Sequence, residues 1–422
     1  MRLPHVITSK KSRLLFILFS AALIRLPFVF LTPRWQAPDE YPHFHYIRTL
    51  FTTGEIPICQ PRFPDYEAYQ PPLYYLIGAG IWHLLPEADI PALPEDVTEV
   101  ERDLPSIVIV LRLFSVILGV GVVYLGYKIS VQVFPPHSFL IWAMPLLLAL
   151  HPTFISNTTS ITNDGLANFM GALLVWLFVH PNYRDKIFLN GLCLGLAFLT
   201  KYNLLPFAVL LVFTRWQERR SNLSWRQQGA SILSLALLIS VWFFLFNFLR
   251  YGHPLAIRPG VETGFAPFSG AWDAWRWYQV IRNYNWSFWC AFGRIYEIHL
   301  PAWFYLIFFG PLSLLMLYGA GRTVFLWKQK RRVDGLLDFK TTCFFLLGLI
   351  LYAAAAFGFT ASLPIECAWG KYVFPFLIPL WILMLGALQV ALGEKRFKFL
   401  IVFLAASFIF MNMVMLWQLA HL

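Results

Sequence analysis

LLFILFSAALIRLPFVFL, residues 14–31, is an apolar run interrupted by a single charge, Arg25. Its length is close to the ~20 residues that cross a hydrocarbon core. It lacks a small-residue cleavage site and more runs follow it, so it reads as a signal anchor and not a cleaved leader. Ile107–Val123, Ile232–Leu249, Tyr305–Tyr318, Phe344–Phe359, Tyr372–Leu392 and Phe399–Leu419 repeat the pattern almost free of charge. Composition agrees. Of 422 residues 58% are hydrophobic and 13% charged, with mean hydropathy +0.61; soluble domains carry about 25% charged residues. The expectation is an all-α polytopic membrane protein.

Charge gives the orientation. Met1–Arg13, Lys128, Arg184–Lys186, Arg215–Arg226, Arg322–Lys340 and Glu394–Lys398 hold most of the 33 basic residues but few of the 22 acidic ones. Short basic segments stay cytoplasmic. The net charge of +11 is thus a record of topology and not of a nucleic-acid partner. Both Arg184–Lys186 and Arg215–Arg226 should lie inside, yet only Ile187–Thr214 separates them. That stretch reads as two short helices meeting near Lys201-Tyr202-Asn203, with Pro206 early in the second. Such a break at membrane depth needs protein or a watery cavity around it. The expected count is about eleven crossings, with juxtamembrane helices on the outer face, the N-terminus inside and the C-terminus outside.

Residues 1–422 read as one transmembrane domain without tandem repeats. Its two long outer loops, 32–106 and 250–300, would form the active-site face, since the inner loops are brief. Cys59, Cys290 and Cys367 fall on that side, where one disulfide is compatible with the compartment. No cysteine pair has metal-site spacing.

The first outer loop carries the strongest signal, Ala37-Pro38-Asp39-Glu40-Tyr41-Pro42-His43-Phe44-His45-Tyr46. Pro42 suits the first turn of a helix, which sets Asp39 and Glu40 at its positive end. A carboxylate there can take a proton from a hydroxyl. It can equally be a plain N-cap on an interfacial helix, Pro42–Phe51. Farther on, Glu67-Ala68-Tyr69-Gln70-Pro71-Pro72-Leu73-Tyr74-Tyr75 starts a helix over Leu73–Leu84, and Leu111-Arg112-Leu113-Phe114-Ser115 puts an arginine near the outer end of span two. Arg112 suits a snorkelling anchor as well as a phosphate ligand.

This ordered series resembles the GT-C superfamily of glycosyltransferases, in particular its protein O-mannosyltransferase-like branch with related uncharacterised bacterial membrane proteins. His151-Pro152 with Asn163-Asp164, GLCLGLAFLTK over Gly191–Lys201, Ser287-Phe288-Trp289 with Phe292-Gly293, and Gly370-Lys371-Tyr372 with Pro375 are similar to further elements of that group. The resemblance covers roughly residues 14–392.

The resemblance implies transfer of a sugar from a polyprenyl-phosphate-linked donor to a glycan, lipid or protein acceptor on the non-cytoplasmic face, with inversion. Asp39 would be the base and Glu40 its catalytic neighbour. Arg112, Lys201 and Lys371 would hold the donor phosphate, since cations placed beforehand stabilise the charge that develops on it. His43, Glu67, Gln70 and Asp164 would line the substrate cavity. Lys371 stands where relatives often carry arginine, which forfeits the two-pronged contact. The chain shows no sizeable soluble domain after the last run, so acceptor recognition would fall to the outer loops or a partner.

Some relatives use a divalent metal, but beyond Asp39, Glu40 and Glu67 there is no dense carboxylate cluster, so no metal or other cofactor is expected. His43 and His45, two apart on a helix, point to different faces and make a poor metal pair. Asn163-Asp164 also suits a helix cap. Trp272, Trp275, Trp277, Trp286 and Trp289 suit an interfacial belt as well as a sugar or prenyl surface. Arg258, Arg276, Arg282 and Arg294 suit lipid headgroups, and Arg25 inside span one needs a partner. The alternative function is a lipid-linked sugar transporter or flippase, which would line a path on both sides of the membrane. The brief inner loops and the family branch point to a bacterial inner (plasma) membrane.

Overall fold

A computed structural model describes residues 9–59, 65–85, 102–183, 185–217, 224–256, 273–293, 298–329, 335–361 and 369–422. Arg184, Arg258, Trp272, Arg294 and Cys367, all named above, lie outside them. The described residues form fifteen α-helices. In order these are α1 Lys10–Leu31, α2 Glu40–Thr53, α3 Leu73–His83, α4 Ser106–Val133, α5 Leu140–Leu150, α6 Pro152–Asn157, α7 Asn163–Val179, α8 Ile187–Phe198, α9 Pro206–Gln217, α10 Trp225–Tyr251, α11 Ala274–Trp289, α12 Ala302–Lys328, α13 Phe339–Ala361, α14 Leu377–Leu392 and α15 Glu394–Ala420. The sheet content among them is one antiparallel pair of two-residue strands, Ala291–Phe292 with Ile298–His299.

Local sequence explains where the helices begin. Ser9 accepts the Ser12 amide at the head of α1. Ser224 and Gln227 form a reciprocal capping box on α10. Asp273 accepts the Arg276 amide on α11. Among the described residues seven segments are long and apolar enough to cross a membrane, with mean hydropathies of 1.6 to 2.6. α5, α7 and α8 are shorter apolar helices. The chain is an integral membrane protein of all-α architecture.

The hairpin between the two basic stretches takes the expected form. α8 ends at Phe198, a 3-10 turn runs Tyr202–Leu204, and α9 starts at Pro206. The break is tied to the head of α3, because the Leu73 amide donates to the Leu199 carbonyl at 2.9 Å.

Three expectations change. α2 is not an interfacial helix lying against lipid: Tyr41, His43, Phe44, Tyr46, Ile47 and Leu50 are buried in protein, and Phe44 and Phe51 pack on Trp82 of α3. The run from Tyr372 does not open as an α-helix. Gly370–Phe376 is 3-10, and Pro375 within it has no N–H to close an α-helical hydrogen bond. Cys290 is free and buried, which takes it out of the disulfide that the three cysteines allowed.

Two glycines let backbones approach closely. A Cβ on Gly171 of α7 would collide with the Pro375 carbonyl, and one on Gly370 would sit 2.6 Å from the Phe288 amide nitrogen. Arg25 finds its partners inside the bundle. It donates to Thr158 Oγ1 and to the Ala21 and Ala149 carbonyls at 2.8–3.0 Å.

Candidate active site

Asp39 precedes α2 with φ 55° and ψ 14°, in the left-handed region. Aspartate tolerates that region better than most residues, but the conformation still costs about 1 kcal/mol. The carboxylate makes no capping hydrogen bond to the helix, so it is not a plain N-cap. Its Oδ2 accepts from Lys371 Nζ at 2.9 Å and its Oδ1 from the Tyr66 hydroxyl at 3.3 Å. Lys371 is 3.3 Å from Asp164 Oδ2, and its ammonium lies over the Trp369 ring, 4.5 Å from the centroid. Lys201 donates to Asp164 Oδ1 at 2.6 Å and to Asn163 Oδ1 at 2.8 Å. Residues from four separate parts of the chain thus form one line of alternating charge: Asp39, Lys371, Asp164, Lys201.

Each cation owes its place to a break in a helix. Lys201 follows α8, where the chain leaves helical geometry at φ −162°. Lys371 rides the 3-10 turn whose Gly370 amide donates to Ser287 Oγ at 2.7 Å. Ser287-Phe288-Trp289 and Gly370-Lys371-Tyr372, distant in sequence, therefore pack on each other.

The expected cavity residues gather around this line. His43 Nδ1 is 2.7 Å from the Tyr75 hydroxyl. Its burial, together with the charge of Lys201, pushes its pKa down to about 3. Gln70 Oε1 accepts from Asn163 at 3.3 Å, and its Nε2 donates to the Tyr69 hydroxyl. Glu67 lies on a 3-10 turn, Asp65–Glu67. Burial and then the Asp39 charge raise its carboxyl to about 7, against the pull of Lys201, Lys371 and a hydrogen bond from Gln70. The turn is pinned to α2 through His45 Nε2, 3.2 Å from Asp65 Oδ1.

Arg112 and Glu40 are placed differently from the expectation. Arg112 Nε and Nη2 grip the two Glu40 oxygens at 2.8 and 2.6 Å. Nη1 donates to the carbonyls of Val29 and Thr32, and Nη2 also to that of Pro33. All five guanidinium N–H groups are used, which leaves none for a phosphate. Glu40 also accepts the Ile161 amide. The pair is fully buried and ties the end of α1, the head of α2 and the turn before α7 together beside Asp39.

Among the described residues no group of three His, Cys, Asp or Glu side chains is arranged to hold a metal ion. Trp275 and Trp277 are exposed on α11, whereas Trp289 is buried against Phe309. Arg276 is buried, and Arg282 covers the Trp286 ring. Two contributors escaped the sequence reading. Tyr66 belongs to no motif, and its contact with Asp39 exists only in three dimensions. Trp369 directly precedes Gly370-Lys371-Tyr372, and in a chain with 17 tryptophans its residue type alone carries no signal.

No protein-family model and no curated protein matches the sequence. Solved structures do. ArnT from Cupriavidus metallidurans in the apo state aligns over 92% of this chain with TM-score 0.52 and 17% identity. ArnT bound to undecaprenyl phosphate aligns over 98% with TM-score 0.50 and 16% identity. The archaeal oligosaccharyltransferase AglB from Archaeoglobus fulgidus, in complex with an inhibitory peptide and a dolichol-phosphate, aligns over 97% with TM-score 0.50 and 15% identity. The chain has the GT-C fold. It spans 62%, 72% and 56% of the lengths of those three chains. Identities this low establish the fold alone. Within the GT-C fold of this chain, the charged line joins the α1–α2 connection to α7, to the α8–α9 break and to the turn before α14.

Proposed function

We propose that this chain transfers a sugar from a polyprenyl-phosphate-linked donor to an acceptor hydroxyl at the outer face of a bacterial inner membrane, with inversion. The observation that carries the reading is Lys371, 2.9 Å from Asp39 and 3.3 Å from Asp164, with Lys201 2.6 Å from that same Asp164. Buried ionisable groups at a membrane span are costly and mark function. The undecaprenyl phosphate and dolichol-phosphate named for the matched structures are the ligand chemistry such a pair of lysines suits.

In this reading the donor phosphate contacts Lys201 and Lys371 beside Asp164, with its chain in the bilayer. It draws the Lys371 ammonium from Asp39 and frees Oδ2 for the acceptor. The acceptor O–H bond breaks and its proton passes to Asp39. The oxygen bonds to the anomeric carbon, and the bond from that carbon to the phosphate oxygen breaks with its electron pair. The lysines hold the extra charge of the departing phosphate, charge they are already placed to receive. Arg112 and Glu40 act one step back, by fixing the backbone that presents Asp39.

Lipids extracted from the purified full chain should contain a polyprenyl-phosphate-linked sugar, identified by mass spectrometry. With that lipid as donor, Asp39→Asn should slow transfer by about a hundredfold or more while the donor still binds. Near wild-type turnover by Asp39→Asn would remove Asp39 from the chemistry.

A further inference from the structure

The donor site holds three carboxylates and two lysines. Asp39 takes Lys371, and Asp164 takes both Lys201 and Lys371. Glu67 has no cation of its own: among the described residues it makes no ion pair, and its Oε2 is shielded from solvent without a hydrogen-bond partner. Yet the chain holds Glu67 at this site from both sides. Tyr66, the residue before it, touches Asp39. Gln70, three residues on, touches Asn163, which Lys201 also contacts. Other charged and titratable groups around it are accounted for. Glu40 is matched by Arg112, Asp65 by His45, and His43 is bonded to Tyr75.

With Asp39, Asp164 and both lysines ionised, the line is neutral, and Glu67 decides the net charge. An ionised Glu67 makes the site anionic before any phosphate arrives. A bound phosphate then adds a second uncompensated negative charge in a poorly solvated place, where like charges repel strongly. We infer that Glu67 is the proton-binding partner of the donor site, taking up a proton as a phosphate monoanion binds to Lys201 and Lys371. This inference rests on the phosphate reading above. The direction of the Glu67 shift, upward to about 7, fits it. So does reciprocity: if phosphate raises proton affinity, protonation raises phosphate affinity by the same factor. Donor affinity then falls as pH rises through the range in which Glu67 ionises.

A polyprenyl methyl phosphate, a diester with one charge throughout, is the probe. Binding to the full chain in nanodiscs is measured from about pH 6 to about pH 8.5, a window bracketing a carboxyl shifted up from its ordinary value near 4.3. Kd should rise with pH with a slope approaching, at most, about tenfold per pH unit, the limit for one linked proton. Calorimetry in two buffers of different ionisation enthalpy should register proton uptake near neutral pH. Glu67→Gln should bind the probe with a flat profile and no uptake, whereas Glu67→Asp should retain both. Lys201→Gln should weaken binding at every pH. A flat wild-type profile with no proton uptake would overturn the role of Glu67 and leave the phosphate site standing. Unchanged pH dependence in Glu67→Gln would overturn it too, by assigning the proton elsewhere. If the wild type failed to bind the probe at any pH, the phosphate reading would fall and this inference with it. Should Glu67→Gln not fold, the wild-type calorimetry and the Glu67→Asp profile still decide.

Discussion

At Arg112 and Lys371 two buried cations should respond to the same substitution in opposite ways. Arg112→Gln strands Glu40 as an unpaired buried carboxylate, a loss of roughly 3–5 kcal/mol. It should lower the melting temperature of the solubilised chain sharply, and activity should fall only because folded protein is lost. Lys371→Gln leaves Asp39 with the Tyr66 hydroxyl and a partly exposed carboxylate, and Asp164 keeps Lys201. That protein should melt near the wild-type temperature yet bind a polyprenyl phosphate poorly. If Arg112→Gln were stable and selectively failed to bind, the arginine would be a phosphate ligand after all. His43 offers a pH test. Its folded pKa, about 3, is depressed below an ordinary value near 6.5. The unfolded chain therefore gains a proton that the folded one refuses, and stability present above that ordinary value is lost as pH falls toward about 3. His43→Gln should reduce the difference in melting temperature between neutral and mildly acidic buffer.

The elements around the site are joined by close backbone contacts that tolerate no added atoms. The 3-10 turn carrying Lys371 rests on Phe288 through Gly370 and on α7 through Gly171. Gly370→Ala needs a shift of the turn or of α11, since the new methyl would sit 2.6 Å from a backbone nitrogen. Overpacking of this kind costs roughly 1–3 kcal/mol. The larger effect should be functional, because a displaced turn moves Lys371 away from Asp39 and Asp164. Gly370→Ala should thus lose most of its polyprenyl-phosphate affinity while a folded fraction persists in size-exclusion profiles. Wild-type affinity in that variant would mean the turn is not a rigid mount for the lysine.

Across the whole molecule the positive-inside rule predicts that the charged line lies on the outer side and that both ends of the α8–α9 hairpin lie inside. In a cysteine-free background, Thr53→Cys should react with an impermeant maleimide in intact cells. Asp185→Cys and Ser224→Cys should react only after permeabilisation. Labelling of Ser224→Cys from outside would break the hairpin and invert every later segment.

The sequence by itself determined the class of molecule and the order of its helices. Apolar runs and basic flanks are local properties, and a bilayer reads them locally. The hairpin was legible for the same reason: two basic stretches with too little chain between them leave one solution. Asp39, Lys201, Lys371 and Asp164 were each legible as candidates, because an ionisable group beside a membrane span is conspicuous. What only the tertiary structure decided is who pairs with whom. Nothing in Leu111–Ser115 says that Arg112 spends its donors on Glu40 and three carbonyls, since those partners lie some eighty positions away in the chain and meet only by packing. Nothing in the sequence marks Tyr66 as a partner of Asp39, or Glu67 as the carboxylate left without a cation. A charge shows its type in sequence, but its role follows from what desolvates it and what opposes it, and both are set by helices that the chain brings together from far apart.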